Sequence, residues 1–272
     1  MRSYDLIKTE QDLRYLDFGE RGAPTGLRGH ARKAREGSGA NAVYYKLSSF
    51  DPATGRFGIE CVQELIACRL AGLLGIEHVA ARLVHARIML DGQERSTWLL
   101  RMKSLRAKGE RKLPFALFYQ LERQRGETPF EMAHRLGWSA QVDRMLAFDY
   151  LIANAGRDAT NVEVIESADG ILRLAPLFSN GHSLLSTCSH REAKGRVLDA
   201  LAPVTAENCF GGTSLEDNLA LIENPASVPM VSADMRETLL NGLAAALSTA
   251  DLEAIWAIIW TRGQRYARLC HL

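Results

Sequence analysis

The hydrophobic pattern of this chain changes period part-way along it, and that change excludes purely helical and purely strand-built folds. Before about residue 110, short apolar runs are broken by turn residues. Val43–Leu47 reads as a strand with one lysine inside it, and 79–90 and 95–102 read as two longer strands. The Asp91-Gly92 pair between the latter two is a hairpin signal. Between the first strand and this hairpin, the apolar residues at 62, 65, 66, 70, 73 and 74 follow helical spacing over 60–76, and Gly75 closes the run.

Beyond residue 115 the helical period dominates. Helices are expected over 115–125, 128–136, 140–153, 233–246 and 251–269, with Ser248 and Asp251 spaced as a cap for the last. One strand pair interrupts them, 161–165 and 172–177, joined by an Asp169-Gly170 turn. The fold class expected is α+β. A strand-rich N-terminal lobe occupies residues 1–110, and a mostly helical C-terminal lobe occupies 111–272. The stretch Gly19–Asn41, with six glycines and the basic residues Arg28, Arg32, Lys33 and Arg35, is expected to be loop throughout.

Composition narrows the function classes. With 33 Lys+Arg against 32 Asp+Glu the net charge is +1, so no global attraction to nucleic acid or an anionic membrane is expected. The basic residues cluster locally, at 28–35 and 101–112, and read as solvated surface. Five scattered cysteines without a CxxC pair predict reduced thiols and a cytoplasmic setting. Residues 1–15 lack an apolar signal core, and the most apolar stretch, 254–260, is too short to span a bilayer. A soluble protein is expected.

Three first-lobe features fall in a suggestive order. Gly37-Ser38-Gly39 can present backbone N–H groups to an anion. Lys46 follows in an otherwise apolar strand, and Glu64 lies inside the next helix, where it needs a partner. A lysine held by a glutamate beneath a phosphate-cradling loop is how protein kinases grip nucleotide phosphates. Each feature also has a plain reading: a flexible loop, a snorkelling strand lysine, and a solvated glutamate paired with Arg69 or Lys46.

The most informative stretch runs Phe148-Asp149-Tyr150-Leu151-Ile152-Ala153-Asn154-Ala155-Gly156-Arg157-Asp158-Ala159-Thr160-Asn161. It is followed by Leu174-Ala175-Pro176-Leu177-Phe178-Ser179-Asn180-Gly181-His182-Ser183-Leu184. Together they resemble the HipA-like kinases, bacterial relatives of the protein kinases. The family pattern is Phe-Asp-x-Leu-Ile-x-Asn-x-Asp-Arg-His-x-x-Asn, then a strand pair, then Pro-x-(Phe/Tyr)-Asp. Lys46-Leu47-Ser48 and 60–76 also look like the family's first lobe, so the resemblance touches most of residues 37–185. It implies a two-lobed, protein-kinase-like fold, in a compact member without the extra N-terminal subdomain of the full-length toxins.

The resemblance also implies a chemistry. A catalytic-loop Asp takes the proton of the attacking hydroxyl, while a later Asn and Asp hold magnesium against the phosphates. Here Asn161 matches the metal-binding Asn and Arg157 keeps the Arg. Gly156 occupies the place of the catalytic Asp, Asp158 replaces the His, and Ser179 stands where the metal-binding Asp belongs. Asp149 is expected to tie down the catalytic loop through backbone N–H groups.

The reading expected on these grounds is a nucleotide-binding pseudokinase with impaired phosphoryl transfer. Gly37, Ser38, Gly39, Lys46, Glu64 and Asn161 would face the nucleotide, with ATP and Mg2+ as cofactors if binding is retained and a protein as further partner or substrate. The alternative is an active atypical Ser/Thr-type kinase or other ATP-dependent transferase. Its catalytic carboxylate would be Asp158, a turn residue in the plain reading, with Glu163 as a metal ligand two residues beyond Asn161 on one strand face. A second alternative is a nucleotide-independent interaction module. His182 reads as structural or exposed.

Overall fold

The computed structural model describes residues 5–19, 31–192, 195–225, 228 and 230–270. The strands of the first lobe are β1 (Leu6–Asp12), β2 (Lys33–Glu36), β3 (Val43–Leu47), the small hairpin β4 (Phe50–Asp51) and β5 (Arg56–Phe57), β6 (Ala81–Leu90) and β7 (Gln93–Lys103). Helix α1 (Glu60–Leu73) is inserted between β5 and β6. Five strands form one sheet in the order β1-β6-β7-β3-β2. Only β1 pairs in parallel, and β6 and β7 form the hairpin closed by Asp91-Gly92.

Alternation along these strands covers both faces of the sheet. Val84, Ala86, Ile88 and Leu90 of β6 pack with Ala34, Tyr45, Leu47 and Leu99, beneath Leu13, Leu16 and Phe18. Leu83, Leu100 and Met102 face the other way, onto α1. That helix is buried nearly all round rather than along one stripe, because it lies between the sheet and α7 (Met235–Leu240) of the second lobe. Arg69 anchors it, donating to the Asp5 carboxylate at 2.7 and 2.9 Å and to the carbonyls of Leu239 and Asn241.

The glycine-rich stretch expected as loop contains a strand. β2 draws its hydrogen bonds from β3, with Ala34 inside the core and its charged neighbours at the edge, so pairing overrides composition. Residues 20–30 of that stretch lie outside the described residues. The basic run 101–112 likewise ends in a strand, β8 (Arg111–Pro114), which pairs with β10 (Glu163–Glu166) and through it with β11 (Leu172–Leu174). The chain leaving the first lobe is thus stitched into the second lobe's small sheet. Arg111 pairs with Glu166 and Lys112 with Glu163 across this ladder, so part of the run is engaged in ion pairs.

In the second lobe, α2 (Phe115–Glu122) and α3 (Pro129–Arg135) precede the central α4 (Ser139–Leu151). Thr128 and Glu131 cap α3 reciprocally. The rest comprises the two-residue strand β9 (Gly156–Arg157), α5 (Leu185–Cys188), a ribbon of β12 (Ser189–Glu192) and β13 (Gly195–Leu198), β14 (Glu207–Asn208), α6 (Leu215–Leu219), α7 and α8 (Thr249–Leu269). Ser248 caps α8, its hydroxyl accepting from the Asp251 N–H at 3.1 Å. The single helix expected over 233–246 is broken, because Gly242 takes the left-handed conformation (φ +76°) between α7 and a short 3-10 turn. Among the described residues, no helix is long and apolar enough to cross a membrane.

Besides the α1–α7 contact, hydrogen bonds at two further places join the lobes. Val79 N donates to Leu177 O, and Leu177 N donates to Glu77 O, both at 2.9 Å. Gln63 of α1 reaches over to Gly181 O at 3.0 Å and to the Ser186 hydroxyl at 2.7 Å.

Candidate functional site

Lys46 and Glu64 are 18 residues apart in sequence, on β3 and α1, and the fold brings their charges into direct contact. Lys46 Nζ donates to Glu64 Oε1 at 2.7 Å and to Oε2 at 2.8 Å. Both residues are buried, at 6% and 3% exposure. Glu64 Oε1 also accepts the backbone N–H of Ser179 at 2.9 Å. One carboxylate therefore joins the sheet, the helix and the segment after β11. Ser179 holds a left-handed backbone (φ +62°), which points its N–H back at the helix.

Arg157 organises the segment that follows α4. Its guanidinium, 1% exposed, makes two bonds to the Asp149 carboxylate, at 2.8 and 3.0 Å. It also donates to Phe178 O at 2.6 Å, Asn180 Oδ1 at 2.5 Å and Asn161 O at 3.5 Å. Burial works against its charge, but Asp149 more than offsets that and holds the pKa above the usual arginine value. Asp149 serves the loop through side chains rather than through the N–H groups expected: Arg157, and Asn154 Nδ2 at 2.9 Å.

The two candidate carboxylates are engaged elsewhere. Asp158 Oδ1 accepts from Thr160 N, the Thr160 hydroxyl and Asn161 N, and its Oδ2 accepts from Asn161 Nδ2 at 3.1 Å. It is a turn residue closing its own loop. Glu163 opens β10, whereas Asn161 precedes the strand, so the two do not share a strand face as alternation would place them. Glu163 Oε1 instead accepts from Lys112 Nζ at 2.7 Å, and its Oε2 is buried.

The structure does not bring Gly37, Ser38 and Gly39 to Lys46. They form the turn between β2 and β3, beyond the Glu36–Val43 pair. Lys46 pairs with Lys33 three residues further along, about 10 Å away at strand rise. The chain approaching the Lys46 end is the one that enters β2, where Leu47 N donates to Arg32 O at 2.9 Å.

Two further residues lie beside these groups, Lys33, read in the sequence only as part of a basic run, and His182, which is exposed as expected. Lys33 stands directly opposite Lys46, and burial, then repulsion from Lys46, pushes its ammonium down to about 8. Its pattern signal was hidden inside the glycine-rich run. His182, exposed, has its Nδ1 3.8 Å from where a Cβ on residue 156 would stand. The imidazole borders the space beside Gly156.

The site does not fit a divalent cation. At the two positions the resemblance assigns to metal ligands, only the neutral oxygens of Asn161 and Ser179 remain, and hard dications prefer anionic oxygen. Asn161 further directs its Nδ2 at Gly156 O (3.0 Å) and Asp158. Among the described residues, no three His, Cys, Asp or Glu side chains converge as a metal group.

The comparison with solved structures finds a similar overall fold. The crystal structure of a Helicobacter pylori proinflammatory kinase, CtkA, matches with a TM-score of 0.56 at 13% sequence identity, covering 96% of this chain and 98% of that one. The chain has a kinase-like fold. No family model matches it, and no curated protein matches its sequence. The likeness is therefore one of architecture.

Close packing holds the Ser179 segment in place. A Cβ added at Gly181 would sit 3.0 Å from Glu60 O and 3.3 Å from Glu60 Cβ. Gly181→Ala is expected to push this segment away from α1 and lower stability by about 1–3 kcal/mol. Urea denaturation checks this, and an unchanged midpoint would mean that the contact is soft.

Proposed function

We propose that this protein is a nucleotide-binding pseudokinase, with phosphoryl transfer impaired by loss of its acidic groups. The observation that carries the reading is the buried Lys46–Glu64 pair joined to the Ser179 N–H. An ammonium has three N–H donors, two of them directed at Glu64, which leaves one for a phosphate oxygen. Burying such a pair is costly unless the geometry is good, and a surface lysine and a solvated glutamate would not require it. Gly156 and Ser179, by contrast, offer neither a base nor an anionic metal ligand.

Thermal unfolding of the purified chain with and without ATP tests the binding. A ligand at 100 times its dissociation constant adds about 2.7 kcal/mol, which reads as a clear rise in melting temperature. Lys46→Met is expected to remove the shift. Turnover of ATP at the ~1–100 s⁻¹ typical of kinases would refute the impairment.

A second reading, a slow atypical phosphotransferase, is favoured by His182 alone. With Asp158 bound into its loop and Glu163 paired to Lys112, the imidazole is a base beside residue 156 among the described residues. A measurable turnover that disappears in His182→Asn would favour this reading over the first.

A further inference from the structure

A cavity that shares no wall residue with Lys46, Glu64 or Asn161 lies between the two lobes. Ile76 and Glu77 reach it from the turn that leaves α1, and residues 174–177 from the segment that leaves β11. Gln141, Arg144 and Met145 complete it, their spacing of three and four placing them on one face of α4. The walls are fixed by backbone bonds, from Leu177 N to Glu77 O at 2.9 Å and from Ala175 N to Glu163 O at 2.8 Å.

Its floor is apolar and its mouth is charged. Ile76, Met145, Leu174 and Leu177 are buried, whereas Glu77 and Arg144 are exposed. The volume is about 80 Å³, close to three times the ~30 Å³ share of one water molecule. A branched chain of three or four carbons suits that space. An aromatic ring needs more, since benzene occupies engineered cavities of about 150 Å³.

The charges at the mouth are the second observation. Arg14, Arg32, Arg87 and Arg135 all take a carboxylate partner at the surface. Glu77 and Arg144 line the same small cavity with opposite signs, yet among the described residues neither is ion-paired, to the other or to anything else. They present a cation receptor and an anion receptor above one apolar floor. A small zwitterion with an aliphatic body matches all three features, and a guanidinium can take its carboxylate through two parallel bonds. We propose that this cavity binds a small aliphatic α-amino acid, its carboxylate on Arg144, its ammonium on Glu77 and its side chain on the apolar floor. Such a ligand touches both lobes, and its binding does not depend on a nucleotide.

Calorimetric titration of the full chain with L-valine tests this. Glycine, L-phenylalanine, isovalerate (valine without its ammonium) and isobutylamine (valine without its carboxylate) serve as comparison probes. L-Valine is expected to bind tightest. Glycine should bind about 50-fold more weakly, because each buried carbon is worth about fourfold in affinity. Arg144→Gln should weaken L-valine and isovalerate by about 10–100-fold, the loss of a hydrogen bond to a charged group, and leave isobutylamine unchanged. Glu77→Gln should do the reverse, weakening L-valine and isobutylamine and sparing isovalerate. Both side chains are exposed, so neither change should lower the unliganded melting temperature.

No heat of binding with L-valine up to its solubility limit overturns the proposal. Binding that both variants leave unchanged overturns its assignment to this cavity. L-Phenylalanine binding as tightly as L-valine overturns the side-chain size.

Discussion

Restoring both acidic groups, as Gly156→Asp with Ser179→Asp, is expected to raise phosphoryl transfer by about 10²–10⁴-fold over the native chain, the usual contribution of a positioned general base. The backbone admits both changes. A Cβ at residue 156 meets nothing closer than His182 Nδ1 at 3.8 Å, an ordinary contact. Ser179 has a left-handed φ of +62°, a conformation that aspartate tolerates better than most residues. Neither change removes a side chain of the Lys46–Glu64 pair or of the Arg157 cluster. Autophosphorylation and ATP hydrolysis, measured in magnesium, provide the readout. The Ser179→Asp variant should also bind nucleotide more tightly in magnesium than the native chain does. A double variant that folds, binds magnesium-ATP and turns over no faster would show that the impairment lies elsewhere, for example in a displaced phosphate-binding loop.

The largest effect on stability is expected at Asp149. Asp149→Ala leaves the Arg157 guanidinium, 1% exposed, without its counter-charge, and removing one partner of a buried pair costs about 3–5 kcal/mol. Of the groups Arg157 contacts, only Asp149 is anionic; Phe178 O, Asn161 O and the Asn180 amide are neutral. The loss should therefore be close to the full penalty, a large part of the ~5–15 kcal/mol that holds a typical domain together. Arg157→Met is expected to cost as much, by stranding Asp149 and three acceptors. The two changes together should cost less than their sum, because the partners act as one unit. Chemical denaturation of the three variants measures the coupling. A cost below about 1 kcal/mol for Asp149→Ala would mean that water reaches the guanidinium.

The parts of the fold legible in sequence are those whose signals are local. The Asp91-Gly92 hairpin, α1 with its closing Gly75, and the Ser248-capped α8 each carry their own period and punctuation. β2 and β8 were not legible, because Lys33–Glu36 and Arg111–Pro114 are charged segments made into strands by partners elsewhere in the chain. The break at Gly242 was missed because the apolar period continues through it. In the site, the meeting of Lys46 with Glu64 was foreseeable from residue type and order. The distance between Gly37–Gly39 and Lys46 was not, since it depends on which end of the strand pair the turn closes. Asp158 and Glu163 looked available because sequence shows a carboxylate but not the Thr160, Asn161 and Lys112 donors that occupy it.

Glu64 also determines how the cleft could respond to a partner. Its carboxylate accepts from Lys46 and from Ser179 N, so any outward shift of α1 breaks the contact with the sheet and the contact with the lower segment in the same movement. Neither can loosen gradually while the other holds. A displacement of that helix would therefore switch both contacts at once, with its whole leverage delivered through one side chain.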